Sequence, residues 1–259
     1  YYGVPYSNDM DRIRDLGPKG REGLMKPESH YWNIPLIRGS KEIERSPQQA
    51  FLTKRYVEES VNFIKAQAKT NKPFFLYFPY YAVHTPLQAK RELISSFSRT
   101  PKAERQGSPI YAAMVASVDE SVGRVLGKLA ELKLAEETLV IFASDNGGFA
   151  GATKHDPLRA NKGSHYEGGI RMPTFVRGPG IKKGSYCKVP MVQWDFLQTF
   201  YDLAGGREPL PADLDGGSLR DVLEKGNKGR VKRNTKELIF HFPWHTGVAE
   251  SVIRSGKYK

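Results

Sequence analysis

Apolar residues recur every three or four positions along two long stretches of the chain. In "SPQQAFLTKRYVEESVNFIKAQAKT", Phe51, Leu52, Tyr56, Val57, Val61 and Ile64 line one face, and Ser46 followed by Pro47 offers a cap and a first-position proline. In "SPIYAAMVASVDESVGRVLGKLAELKL", Ser108 and Pro109 repeat that start, and Ile110, Met114, Val118, Val122, Val125, Leu126 and Leu129 trace the side to be buried. Both stretches predict amphipathic helices.

Two other runs are apolar on both faces: "PFFLYFP" at 73–79 and "TLVIFAS" at 138–144. That pattern predicts strands inside a sheet covered by helices. Helix, strand, helix, strand in succession predicts an α/β fold with a doubly wound sheet, in which sites collect beyond the carboxyl ends of the strands. His84, in "YYAVHTPLQ", and Asp145, in "SDNGG", fall at such ends. Downstream, "MPTFVRGPG" predicts a short strand and turn, and "VQWDFLQTFYDLAGG" a helix closed by Gly205 and Gly206. "ELIFHFPW" and "SVIRSGKYK" predict two more strands, while residues 1–45, rich in Gly, Pro and charge, predict irregular structure.

Composition narrows the picture. A chain of 259 residues with 39% hydrophobic content can build one large α/β domain, or a domain and part of another. No run of about 18 apolar residues occurs, so no membrane span is expected, and the first residues do not read as a secretory signal. The one cysteine, Cys187, excludes an internal disulfide framework and a multi-cysteine zinc site, and is expected to be a plain surface or half-buried thiol. Forty Lys and Arg against 28 Asp and Glu give a net charge of +12, which favours anionic partners. The cations are scattered, apart from "NKGRVKR" at 227–233, which reads as a solvated loop. No helix-turn-helix, zinc-finger or RNA-recognition pattern appears, so no nucleic-acid partner is expected.

Candidate chemistry begins at Asp145 and Asn146. An acid and an amide side by side at a strand end offer oxygen ligands suited to a hard divalent cation, calcium or magnesium, and Gly147 and Gly148 let the backbone turn away. "DNGG" is equally ordinary turn chemistry, and the dipeptide by itself favours that reading.

The segment that follows shifts the balance. In "DPLRANKGSHYEGGIRMPTFVRGPG", Leu158, Arg159, Lys162, Gly163, Tyr166, Glu167, Gly168, Gly169, Arg171 and Pro173 sit in a spacing that closely resembles the sulfatase family. "PFFLYFPYYAVHTPLQ" is similar to that family's strand and His-x-Pro turn, and "YAAMVASVDESVGRVLGKL" to its long helix. The resemblance spans nearly the whole chain. It implies part of an alkaline phosphatase-like doubly wound sheet, with residues 1–229 as a partial catalytic domain and 230–259 as the start of a smaller C-terminal subdomain. It also implies that Asp145 and Asn146 are two ligands of a calcium ion, Mg2+ being less expected. Lys162 and His84 would then contact the sulfate group and its bridging oxygen.

Other residues near these positions take plainer roles. Glu167 and Arg171 have the spacing of an ion pair or of backbone contacts that hold the loop. His155 is expected to be exposed, and His241 and His245 remain unassigned. The resemblance further implies sulfated small molecules or sulfated glycans as substrates, and export to a periplasm, an exterior or a lysosome; it says nothing about oligomeric state. The family's nucleophile is a formylglycine made from the first residue of Cys-x-Pro-Ser-Arg or Ser-x-Pro-x-Arg, and neither signature occurs here. Cys187 precedes Lys-Val-Pro, so the chain is expected to be a fragment with little or no turnover. Two rival readings are a phosphatase or phosphonate hydrolase of the same superfamily, and a noncatalytic module that holds sulfated polysaccharide on its positive surface.

Overall fold

The computed structural model describes residues 1–5, 34–70, 72–105, 107–242 and 250–259. They fall into two compact units, Tyr1–Ala135 with Phe149–Lys154, and Glu136–Gly148 with His155–Lys259. Much of the 1–45 stretch, and His245, lie outside the described residues. Helices and strands intermingle, and the class is α/β as expected.

In the first unit, β1 (Tyr2–Gly3), β2 (Pro35–Arg38) and β3 (Lys41–Arg45) form an antiparallel sheet in that order. Arg38 pairs with Lys41, which leaves Gly39 and Ser40 as the turn, and Gly39 takes a φ of +61°. A tight hairpin needs that left-handed conformation at its first loop position. Part of a stretch expected to be irregular is therefore a sheet.

The helix α1 (Leu52–Ala68) follows a 3-10 turn at Gln49–Phe51. Ser46 does not cap it. That residue has a φ of +54° and its N–H donates to the Ile34 carbonyl at 2.9 Å, closing the end of the sheet. Gln49 anchors the helix start instead: its buried amide donates to the Pro86 carbonyl at 2.5 Å, a bond that its burial demands. In α3 (Pro109–Glu131) the expected start is present, with Ser108 Oγ accepting from the Tyr111 N–H at 3.3 Å and Pro109 at the first position. Between these helices lies α2 (Arg91–Arg99), whose Leu93, Ile94 and Phe97 pack on a core of Leu87, Ala89, Ile110, Tyr111, Ala113, Met114 and Ala152. A second core joins Leu36, Leu52 and Tyr56.

Residues 73–79 are not a ladder strand. Phe74, Leu76 and Phe78 are half-buried, whereas Phe75 and Tyr77 are 63% and 76% exposed, and none of the described strands pairs with them. The alternation is that of extended chain. An apolar run encodes extension and burial, but hydrogen-bond pairing depends on a neighbour that the run itself does not specify.

In the second unit, β4 (Val140–Ala143) pairs antiparallel with β5 (Thr174–Arg177), the short α4 (Glu167–Ile170) lying between them in sequence. The helix α5 (Asp195–Leu203) ends where expected: Gly205 has a φ of +73°, and its N–H donates to the Asp202 carbonyl at 3.0 Å. After α6 (Arg220–Lys225), β6 (Leu238–Phe242) and β7 (Glu250–Arg254) pair antiparallel.

One expectation about this unit is overturned. Arg233, in the basic run read as a solvated loop, is half-buried and paired: its Nε and Nη2 donate to the two Asp195 carboxylate oxygens at 2.7 and 2.6 Å. Asp195 is fully buried and also accepts the N–H groups of Val192 and Gly217. A buried carboxylate with four donors persists because its lost hydration is replaced bond for bond. Cys187 is exposed and unbridged, as expected. Among the described residues no helix is long and apolar enough to cross a membrane.

Candidate active site

Strand β4 runs into Ser144 and then the turn Asp145-Asn146-Gly147-Gly148. The Ser144 N–H donates to the Pro173 carbonyl at 3.3 Å, just beyond the β5 pairing, and Ser144 Oγ donates to the Asn146 carbonyl at 3.0 Å. Gln193 Nε2 donates to the Ser144 carbonyl at 3.0 Å. Asp145 is exposed, and its Oδ1 accepts the Asn146 N–H at 3.0 Å. Asn146 is half-buried, and its Oδ1 is a buried acceptor with no hydrogen-bond partner among the described residues. Such an atom calls for an explanation, and an ion is one.

Glycines fit the turn to the loop that follows. The Gly147 N–H donates to the Gly169 carbonyl at 2.8 Å, and a methyl group on Gly147 would overlap the Gly168 carbonyl oxygen. A methyl on Gly168 would strike the carbonyls of Ala160 and Arg159, and one on Gly169 the carbonyl of Ser164. The Gly-Gly pair of "YEGG" thus meets Gly147 of "DNGG" backbone to backbone. The Lys162 N–H donates to the Gly148 carbonyl at 3.0 Å, which ties the lysine directly to the Asp-Asn turn. Arg159 stacks its guanidinium over the Tyr166 ring at 3.8 Å.

Glu167 takes a structural part. Its carboxylate accepts from Lys259 Nζ at 2.8 Å and lies 3.6 Å from Arg254 Nη1. The Lys259 hydrogen bond, together with the charges of Lys259, Arg254 and Arg171, holds its carboxyl below the usual range. His155 is half-buried rather than exposed, and its carbonyl accepts from the Leu158 N–H at 2.6 Å.

His84 belongs to the first unit, whereas Asp145, Asn146 and Lys162 belong to the second. Its N–H donates to the Tyr81 carbonyl at 3.0 Å, and its Nδ1 lies 2.8 Å from the Thr85 carbonyl oxygen. A carbonyl oxygen only accepts, so Nδ1 is the donor in this bond. The Tyr81 ring meets the imidazole edge-on at 6.2 Å, and the Tyr81 hydroxyl donates to the same Thr85 carbonyl at 2.8 Å. Pro86 and Leu87, next in sequence, are fully buried and fix the turn.

Among the described residues no group of three or more His, Cys, Asp or Glu is placed to hold a metal. Asp145 and Asn146 offer two oxygen donors. Residues that the sequence reading passed over also bear on the loop: the N–H of His165 donates to Glu250 Oε2 at 3.3 Å, 85 positions along the chain. The available signal was the alternation in "ESVIR", which puts Glu250, Val252 and Arg254 on one face of β7.

The family model described as Sulfatase matches residues 7–206. The chain is 36% identical over 219 residues to a sulfatase of Formosa agariphila, covering 80% of this chain and 39% of that protein. It is 33% identical to the N-acetylgalactosamine-6-sulfatase of Sus scrofa, covering 88% of this chain and 43% of that one. Among solved structures, Ps i-CgsB in complex with k-i-k-neocarrahexaose superposes with a TM-score of 0.74 at 29% identity, covering 98% of this chain and 55% of that one. The chain thus spans about half, or less, of the length of these relatives.

Proposed function

The chain belongs to the sulfatase family, and we propose that it forms the part of a sulfate-ester hydrolase that contributes two cationic groups and two metal ligands. Breaking the S–O bond of a sulfate ester leaves negative charge on the departing oxygen. The Lys162 ammonium stabilises that charge, and a proton held on His84 Nε2 passes to the departing oxygen. The observation that supports this most is the Lys162 N–H bonded to the Gly148 carbonyl at 3.0 Å, which ties the lysine to the Asp145–Asn146 turn.

A divalent cation fits the residues present. The Asn146 Oδ1 is a buried acceptor without a partner among the described residues, and Asp145 adds a carboxylate. Two oxygen donors, one of them charged, suit Ca2+ ahead of softer metals. When bound, the ion neutralises the nonbridging sulfate oxygens. The nucleophile, a formylglycine in the sulfatase pattern, comes from polypeptide outside these 259 residues, so this chain by itself turns over little or no substrate. The complex of the structural relative with k-i-k-neocarrahexaose, and the likeness to an N-acetylgalactosamine-6-sulfatase, support a sulfated glycan as substrate, and the net charge of +12 suits a polyanion. An exported or lysosomal setting goes with that substrate class.

In the complete protein, Lys162→Ala and His84→Ala are each expected to lower kcat/KM for an aryl sulfate about 10²- to 10³-fold, with the denaturation midpoint little changed. Unchanged rates would sink both assignments.

A further inference from the structure

Besides its glycine contacts with the Asp-Asn turn, the Lys162 loop has a second set of attachments, and these are electrostatic. Two of its members are involved, His165 and Glu167. Their partners come from one place in the chain, β7 and the residues after it. Glu250 Oε2 accepts the His165 N–H at 3.3 Å and lies 3.4 Å from the same residue's Nδ1. Lys259 Nζ donates to Glu167 Oε1 at 2.8 Å, and Arg254 Nη1 lies 3.6 Å from the same oxygen.

The strand's period of two puts Glu250, Val252 and Arg254 on one face, and all three are half-buried while Ser251 and Ile253 are exposed. Glu250 and Arg254 stand roughly 13 Å apart at four residues' separation, so the strand grips the loop at two points with opposite charges. An acid accepts the His165 backbone N–H, and two cations face Glu167. Three polar atoms at the junction, Ser164 Oγ, His165 Nδ1 and Arg254 Nε, are buried without a hydrogen-bond partner among the described residues, while the Glu167 and Glu250 carboxylates are about a third exposed.

We propose that Glu250, Arg254 and Lys259 are positioning residues for Lys162: they clamp residues 164–167 so that the lysine two positions earlier is held at the turn. The clamp deepens the reading of Lys162 as a sulfate-contacting cation and rests on it for its functional meaning. It names a part for the carboxyl-terminal strand pair that neither the glycine contacts nor the lysine's own hydrogen bond requires.

Charge reversal tests it. In this chain, Lys259→Glu and Glu167→Lys are each expected to raise hydrogen exchange at the Ser164–Arg171 amides about fivefold, and the double exchange to restore protection, the signature of a coupled pair. Unchanged exchange in both single variants overturns the clamp. In the complete protein the same single variants are expected to lower kcat about tenfold with KM within about twofold, because a misplaced cation is felt most in the transition state, and the double variant to recover. Raised exchange with kcat unmoved overturns the positioning role. A complete protein that releases no sulfate strikes the sulfatase reading instead, and the exchange data then decide the clamp by themselves.

Discussion

Around His84, apolar side chains hold the structure. Leu87 is fully buried beside Ile110, Tyr111 and Met114 of α3, and α2 adds Leu93, Ile94 and Phe97. Around Lys162, the holding is by backbone and charge: Gly147 in contact with Gly168 and Gly169, carbonyls bonded across the loop, and the Glu167 carboxylate met by Lys259 and Arg254. A helix packed by hydrophobic burial tolerates small changes at its surface, since the effect is non-directional and grows with area. A loop packed through glycine has no such latitude, because each contact is between atoms that cannot move aside. The difference suits the parts proposed for the two regions: a histidine presented on a rigid apolar base, and a lysine whose place is set by directional bonds.

The sharpest way to break the contrast is to attack the buried charge in the second unit. Asp195→Ala removes the acceptor of four donors and leaves the Arg233 guanidinium, 9% exposed, without a counter-charge, the Pro190 carbonyl at 3.1 Å being its remaining acceptor among the described residues. The expected cost is about 4 kcal/mol, dominated by the uncompensated cation. Urea denaturation measures it, with hydrogen exchange reading the loss first in residues 136–148 and 155–259. An equal loss of protection throughout the chain would mean that the two units do not differ in how they are held.

Leu87→Ala is the counterpart in the first unit. Removing a fully buried side chain leaves a cavity among Ile110, Ala113 and Met114, at an expected cost of about 3 kcal/mol. Here protection should fall first in α2 and α3. Leu87→Met, which keeps most of the volume, is expected to cost less than about 1.5 kcal/mol. If Met costs as much as Ala, shape rather than burial governs this core.

The same contrast explains what the sequence disclosed. Period 3.6 gave α1 and α3, since hydrophobic burial writes itself into spacing, and the Ser108 cap was legible because it is local. "PFFLYFP" announced extension but not the absence of a ladder, which depends on partners elsewhere. The Asp195–Arg233 pair was hidden because its members lie 38 positions apart, and an arginine in a basic run looks like any solvated cation. The site loop was readable only as a motif. Nothing in its periodicity shows that Gly147 must meet the carbonyl of Gly168; the resemblance supplied Asp145, Asn146, Lys162 and His84, and the physical reason for the glycines came from their contacts. His165 and Glu250 carried no motif and were passed over, although the alternation in β7 marked which of its residues share a face.

The smallest expected effect is also the most selective for the charged side of the comparison. Lys259, then Arg254 and Arg171, hold the Glu167 carboxyl below its ordinary value of 4.5. A group whose folded pKa lies below its unfolded value binds fewer protons when folded, so its contribution is fully present above the unfolded value and is lost as pH falls through the folded one. Glu167 is about a third exposed, so that contribution is a few tenths of a kcal/mol. Other paired carboxylates titrate in the same window, Glu59 beside Arg38 and Asp202 beside Ser218 and Arg220 among them. A difference measurement cancels their share. The gap in urea midpoint between the wild-type chain and Glu167→Gln is expected to be present at pH 7 and to shrink toward pH 3 as the Glu167 carboxyl takes up its proton. A gap of equal size at both pH values would mean that the loop is held by its glycine contacts and hydrogen bonds, with the charge on Glu167 contributing nothing.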